Sequence, residues 1–544
     1  MRLFLALLIS LIVSEASAQD AAPKYWVFFD AKPAFAGKAP QVTGEALIRR
    51  SRRGTQVPSR LDWPVSPAYL AEVRAIGLEP LVESRWLNAV SVRLTSEELE
   101  SVSRLPFVTQ IRPVGSLTSE TVPQETHFGR TESPLPSARR LDYGGSFTQL
   151  DVVRAIPGLE AGINADGVRL GIIDTGAGDL EHPAVRHIKL DNRLAGQRDF
   201  TGQPDDGSRH ALAVLSVAAG FDEGNLIGPA YGATIYLART EYAPTETNQE
   251  EDNFVAGIEW MEAQGVDVVN ISLGYSEFDA GQNDYTYQDM DGDTAITTRA
   301  ADLAARLGVT VVNSAGNYGS QAWHYITSPA DGDSVITVGA VASNYTVTAF
   351  SGRGPTSDGR IKPDVSAMGT RVVIAASSAY SSNGQGTSFS SPMVAGVAAQ
   401  LLQVNPDLAP MEVREILRRT ATQTQEPNNA IGWGVIDAEA ALALAAIWST
   451  SVEDEPGLPA RAQAFPNPSA GRTRLQLDLA AASPAEIVVV DLLGREVGRT
   501  SWSSLPAGRN LIVLPLPDDA AAGWYGYRVQ TADVTLSGSI TRVR

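Results

Sequence analysis

Four side chains in this sequence have types and surroundings suited to acyl-transfer chemistry. Ser388 lies in the small-residue turn Gly386-Thr387-Ser388-Phe389-Ser390-Ser391, ahead of Pro392 and the apolar run Met393 to Leu402. Proline suits a first helical turn, so this pattern predicts a helix over Pro392 to Val404 with Ser388 at its N-terminus. Free backbone N–H groups and the helix dipole favour a developing negative charge there. A capping serine with no chemistry fits the local turn equally well, so the partners must decide. Asp174 ends an apolar run and precedes Thr175-Gly176, where an Asx turn is the plain alternative. His210 opens the apolar helical run Ala211 to Leu215. Asn317 closes Val311 to Gly316, and its amide can donate to an oxyanion. A left-handed turn residue is the plain alternative there.

Those four positions need a scaffold that brings them together. From about Gln149 onward, strands alternate with helices. The strands read as Val168 to Ile173, Thr234 to Ala238, Val266 to Ile271, Val309 to Ser314 and Val335 to Val338. Helical spacing covers His210 to Ala219, Asp252 to Ala263, Ala295 to Leu307, Pro392 to Val404 and Met411 to Thr420. Near-continuous apolar strands joined by helices imply an α/β fold with a doubly wound, mainly parallel sheet covered on both faces. Ligands then bind beyond the carboxyl ends of the strands. Asp174 and Asn317 fall at such ends.

Asp before His before Ser is the chain order of subtilisin, and differs from that of chymotrypsin and the α/β-hydrolases. The chain resembles the subtilisin-like serine peptidases (subtilases) over about Gln149 to Ala446. Asp174-Thr175-Gly176, Ser314-Ala315-Gly316-Asn317 and Gly386 to Pro392 carry the likeness. So do Val269 to Gly274 and Lys362-Pro363-Asp364-Val365. The resemblance implies a secreted serine endopeptidase with an acyl-enzyme intermediate. In it Ser388 is the nucleophile, His210 the base, Asp174 its orienting carboxylate, and Asn317 an oxyanion donor. It also implies strand addition of peptide substrates along Ser272, Leu273 and Gly274. Gly274, Ala315 and Gly316 would leave room for a side-chain pocket. The chain departs from the family after His210, where Ala211-Leu212 replaces Gly-Thr. The change adds a methyl near the cleft and removes a hydroxyl that could brace the histidine. It is the one feature favouring the alternative, a catalytically impaired protease-fold surface or binding protein.

The rest of the chain reads as flanking units. Arg2, the apolar run Leu3 to Val13 and Ala16-Ser17-Ala18 form an export signal over 1–18. Short strands and helices over 21–114 suggest a small α+β unit, resembling the inhibitor-like propeptide of subtilases through Trp86 to Val90 and Leu105 to Val108. It would act as an intramolecular inhibitor. A linker (115–140), the peptidase domain (141–446) and a second linker (447–464) follow. Residues 465–544 read as a β-sandwich. Through Phe465 to Pro468, Val490 to Arg495 and Gly523 to Tyr525 it resembles the sorting domain of the type IX secretion system. That machinery would be a partner, with export through periplasm and outer membrane to the exterior or the cell surface.

Composition narrows the remaining classes. The 544 residues imply two to four domains, and a formal net charge of -19 argues against nucleic-acid partners. No cysteine is present, which excludes disulfides, zinc–thiolate sites and a thiol nucleophile. No cofactor or metal ligand is assigned. Asp289 to Asp293 has the flavour of a calcium loop, but Ala300 stands where an EF-hand needs its bidentate carboxylate. Structural calcium is compatible with the resemblance without a named site. No further run is long enough to span a bilayer.

Overall fold

A computed structural model describes residues 22–32, 42–55, 60–114, 141–448 apart from 179 and 281, and most of 461–542. The expected signal, the 115–140 linker and most of the second linker lie outside the described residues. Among the described residues no helix is long and apolar enough to cross a membrane.

The central layer is a seven-stranded parallel sheet. Its spatial order is Val365–Met368, Ile336–Val341, Thr310–Ser314, Val268–Ile271, Arg169–Asp174, Thr234–Arg239 and Leu194–Asp199. The inner strands are buried on both faces, as their unbroken apolar runs predict. From Arg169–Asp174 the chain builds outward on one side, then returns to the other at Val268–Ile271. The ends of these two strands therefore flank the topological switch point, where open α/β sheets bind ligands. The helices His210–Ala219 and Thr387–Val404 pack against each other and share one core with the sheet.

One expectation shifts, and two features were not legible beforehand. The serine helix starts at Thr387, so Pro392 lies inside it rather than in its first turn. Strand Leu194–Asp199 is polar and exposed along one edge, and Val365–Met368 is only four residues long, so neither stood out from its sequence. Trp86 to Asn88 form a turn before the strand Ala89–Arg93, because Asn88 adopts φ 51° and its amide donates to Phe29 O at 3.0 Å.

The N-terminal unit is a four-stranded antiparallel sheet, ordered Val82–Ser84, Ala89–Arg93, Lys24–Phe29, Val108–Pro113. Three α-helices accompany it: Gly44–Arg52, Pro67–Ala75 and Ser96–Ser103. Alternation along Lys24–Phe29 divides its side chains between two cores. Val27 and Phe29 face Leu70, Val73 and Phe107 inside the unit. Trp26 and Phe28 face Phe254, Ile258 and Ala300 of the protease-like domain. Helix Gly44–Arg52 adds buried charge to this contact. Arg50 pairs with Glu262 at 2.8 Å and Asp62 at 2.7 Å, while Arg49 and Arg85 also reach Glu262.

The C-terminal unit is a sandwich of a three-stranded and a four-stranded sheet around Leu475, Leu477, Ile487, Val489, Tyr527 and Val529. Strand Ser483–Val490 again alternates: Ile487 and Val489 enter the sandwich, while Val488 and Val490 join the main core. The sandwich thus leans on helix Ala438–Ala445.

Candidate active site

Asp174 is the last residue of the switch-point strand and is 1% exposed. A buried carboxylate needs donors, and it has three. Thr175 donates through its backbone N–H at 2.7 Å and its hydroxyl at 3.1 Å, both to Oδ1. His210 Nδ1 lies 2.8 Å from Oδ1 and 3.0 Å from Oδ2. A carboxylate only accepts, so Nδ1 carries the proton and Nε2 is left with a free lone pair. Burial pushes the imidazole pKa down, but the charge and hydrogen bond of Asp174, aided by the charge of Glu241, outweigh it and leave it raised. His210 begins its helix and keeps a third of its side chain exposed.

Ser388 is the second residue of its helix and is 9% exposed. Pro392 has no N–H to give to the Ser388 carbonyl four residues back. Ser272 supplies the missing donor, its hydroxyl lying 2.9 Å from Ser388 O. In return Ser388 Oγ donates to Ser272 O at 3.4 Å. Among the described residues no hydrogen bond joins His210 Nε2 to Ser388 Oγ in this rotamer. The His210 ring lies 6.1 Å from that of Phe389, the next residue.

Asn317 is oriented by the start of the same helix. Thr387 donates to Asn317 Oδ1 from its N–H at 2.9 Å and from its hydroxyl at 3.1 Å. Both donors fix the amide, leaving Nδ2 as the group free to donate elsewhere. Gly386 sits at φ 139°, a conformation that glycine permits, and a Cβ there would come within 3.5 Å of Nδ2.

The proposed cleft residues differ in what they offer. The carbonyl of Leu273 is approached by Asn313 Nδ2 and Ser314 Oγ, each at 3.4 Å, and these long contacts are weak. Gly274 is closely approached by Thr327. A Cβ there would lie 2.1 Å from Thr327 Oγ1, and one at Gly316 would lie 3.0 Å from it. The two glycines make room for Thr327, whose buried hydroxyl has no hydrogen-bond partner among the described residues. Ala315 is fully buried beside Ile326 and Ala330. Ala211 and Leu212, expected to crowd and weaken the histidine region, are 1% exposed and belong to the main core. The extra methyl therefore fills the interior rather than the cleft.

The sequence matches the model of the Subtilase family over residues 165–434. Subtilisin DY of Bacillus licheniformis is 33% identical over 309 residues, which cover 56% of this chain and 99% of that protein. The chain belongs to the subtilase family. It is a serine-type endopeptidase by that membership. Two further relatives agree. Serine protease AprX of Bacillus subtilis (strain 168) is 30% identical over 51% of this chain and 66% of its own length. The Alkaline protease of Alkalihalobacillus alcalophilus is 26% identical over 80% of this chain and 96% of its own. Residues 24–127 match the Peptidase S8 propeptide domain, Bacteroidota, so this subtilase carries a propeptide.

Three neighbours of the site escaped the sequence reading. Thr175 could have been found, since it adjoins Asp174 in the aspartate motif. Ser208 and Thr327 gave no signal, because only the fold brings them near. Metal ligation has one geometric candidate among the described residues: Glu241, Glu246 and Glu250, with carboxylate oxygens within 4.8 Å of one another. Burial raises all three, Glu241 to about 7 with the help of the Asp174 and Glu251 charges, and Glu250 to about 8 and Glu246 to about 9 with that of Glu241, so protons relieve much of this charge at neutral pH. In the loop once read as calcium-like, Asp291 spends both oxygens on Asp293 N, Thr294 N and Thr294 Oγ1.

Proposed function

We propose that this subtilase is a secreted endopeptidase that cleaves peptide bonds through Asp174, His210 and Ser388. The observation that carries the reading is the Asp174–His210 bond, which selects the imidazole tautomer able to take a proton at Nε2. Substrate binding turns the Ser388 hydroxyl from Ser272 O toward that nitrogen. His210 accepts the proton as Oγ attacks the scissile carbonyl, then returns it to the leaving amine. Asp174 holds the imidazolium in place. Asn317 Nδ2 and the Ser388 N–H receive the oxyanion. Peptides add as an extended strand beside Ser272 to Gly274, displacing the long contacts there.

The propeptide acts as an intramolecular inhibitor before it is cut away. Its last residue before the undescribed stretch, Val114, packs with the same apolar cluster as Leu273, which supports this. The C-terminal sandwich serves type IX sorting, and the N-terminal signal directs entry to the periplasm. Truncating 465–544 should then trap the protein there, and normal export of the truncated chain would reject that role.

A fluorophosphonate probe tests the central reading. It should label the processed protein at Ser388, and Ser388→Ala should fold, resist labelling and hydrolyse no peptide. Unchanged hydrolysis by Ser388→Ala would defeat the assignment.

A further inference from the structure

The family likeness leads one to expect a hydroxyl two residues after the histidine, and this chain has Leu212 buried in the core instead. The N-terminus of the His210 helix also lacks a side-chain cap from Arg209, the residue before it. Something else must hold the histidine backbone. We propose that Ser208 is a positioning residue for proteolysis, closing a ring of hydrogen bonds that ties the His210 backbone to the Asp174 carboxylate.

Proton counting fixes the direction of every bond in that ring. Asp174 can only accept, so the single proton of the Thr175 hydroxyl, 3.1 Å away, goes to Asp174 Oδ1. Thr175 Oγ1 also lies 3.0 Å from Ser208 Oγ. With its own proton used, Thr175 must accept here, and Ser208 must donate. Ser208 Oγ then has only lone pairs left, and the His210 N–H donates to it at 3.4 Å. His210 Nδ1 returns to Asp174 Oδ1 at 2.8 Å. Each proton is used once, and the circuit closes. The backbone contact from His210 N to Ser208 Oγ is its longest member.

The ring has two effects. It offers an acceptor, at a long 3.4 Å, to the first helical N–H of His210, which has no partner within the helix. It also polarises the Thr175 hydroxyl toward Asp174, since a hydroxyl that accepts a bond donates a stronger one. Both effects hold imidazole and carboxylate in register. This rests on Asp174 and His210 serving as proposed above.

The test uses the full chain after its own processing, a peptide amide substrate, and the variants Ser208→Ala, Ser208→Thr, Thr175→Val and Ser208→Ala/Thr175→Val. Ser208 is a partly exposed loop residue, so the thermal unfolding of these enzymes should stay close to that of the parent. Ser208→Ala should lower kcat about tenfold, the scale of one aligned hydrogen bond, with KM unchanged. Ser208→Thr should recover most of the loss. The double variant should be no slower than Thr175→Val, because either change opens the same ring. The acid limb of kcat/KM should move upward in Ser208→Ala. Asp174 and Glu241 are the charges acting on His210, and Asp174 then draws less on its Thr175 donor and stabilises the imidazolium more. Independent, multiplying losses in the double variant would overturn the proposal. So would a Thr variant as slow as the Ala variant, or a change in KM alone. Fluorophosphonate labelling of the processed parent serves as the separate control: label absent from Ser388 would sink the underlying triad, whatever Ser208 does.

Discussion

Asn317 offers the sharpest test of the site, because its two ends do different work. Its Oδ1 accepts two bonds from Thr387, at 2.9 and 3.1 Å, and these leave Nδ2 free for the oxyanion role proposed above. Asn317→Ala removes both functions. Loss of one such donor costs about 2.7–4 kcal/mol in the transition state, or about a hundred- to a thousandfold in kcat. It also leaves the buried Thr387 N–H unpaired, which costs roughly 1–3 kcal/mol of folding stability. That second cost is shared by ground and transition states and should not appear in kcat. Asn317→Asp separates the two. It keeps an acceptor for Thr387 and offers no donor, so it should be at least as slow as the alanine variant while unfolding at nearly the parent temperature. Steady-state kcat and KM on a peptide amide, with thermal unfolding of both variants, give the answer. If either variant kept more than about a tenth of kcat, or lost only KM, the oxyanion role would be refuted.

Three further outcomes follow from the same geometry. His210 must be neutral to act, and Asp174 holds its pKa above the usual 6.5, so kcat/KM should fall away through an acid limb lying above pH 6.5. In Asp174→Asn that limb should move down, and kcat should fall about 10⁴-fold; an unmoved limb would exclude Asp174 as its cause. Thr327→Gly should empty the space between Gly274 and Gly316 and raise the preference for Phe over Ala before the cleaved bond by about tenfold or more. Identical preferences in parent and variant would show that Thr327 does not bound the substrate pocket. Glu262→Ala should strip Arg49, Arg50 and Arg85 of a shared buried partner at a cost of about 3–5 kcal/mol. Inhibition by the propeptide should then weaken by at least about a hundredfold, and an unaltered inhibition constant would show that this contact adds nothing to binding.

Much of the peptidase fold was legible because its inner strands are unbroken apolar runs and its helices carry apolar periodicity. The helix ends were less so. Pro392 reads locally as a helix start, and only the distant Ser272 hydroxyl explains how the helix tolerates it four residues after Ser388. Gly44–Arg52 was missed for a related reason: its buried side chains include Arg49 and Arg50, so its inward face looks like a surface until Glu262 is placed against it. The candidate site residues stood out by motif, whereas Ser208 and Thr327 depend on contacts across 33 positions and on glycine approaches that no local pattern encodes. Gly274 and Gly316 illustrate the point, since small residues can admit a neighbour from their own chain, here Thr327, as readily as a ligand.

The strand Lys24–Phe29 sorts mutations by parity. A lesion at an odd position, Val27 or Phe29, should yield an inhibitor that melts early yet still seats when intact. One at an even position, Trp26 or Phe28, should yield an inhibitor that folds well and lets go too soon. Two adjacent codons would thus produce separable defects, one in the folding of the propeptide itself and one in its grip on the protease domain.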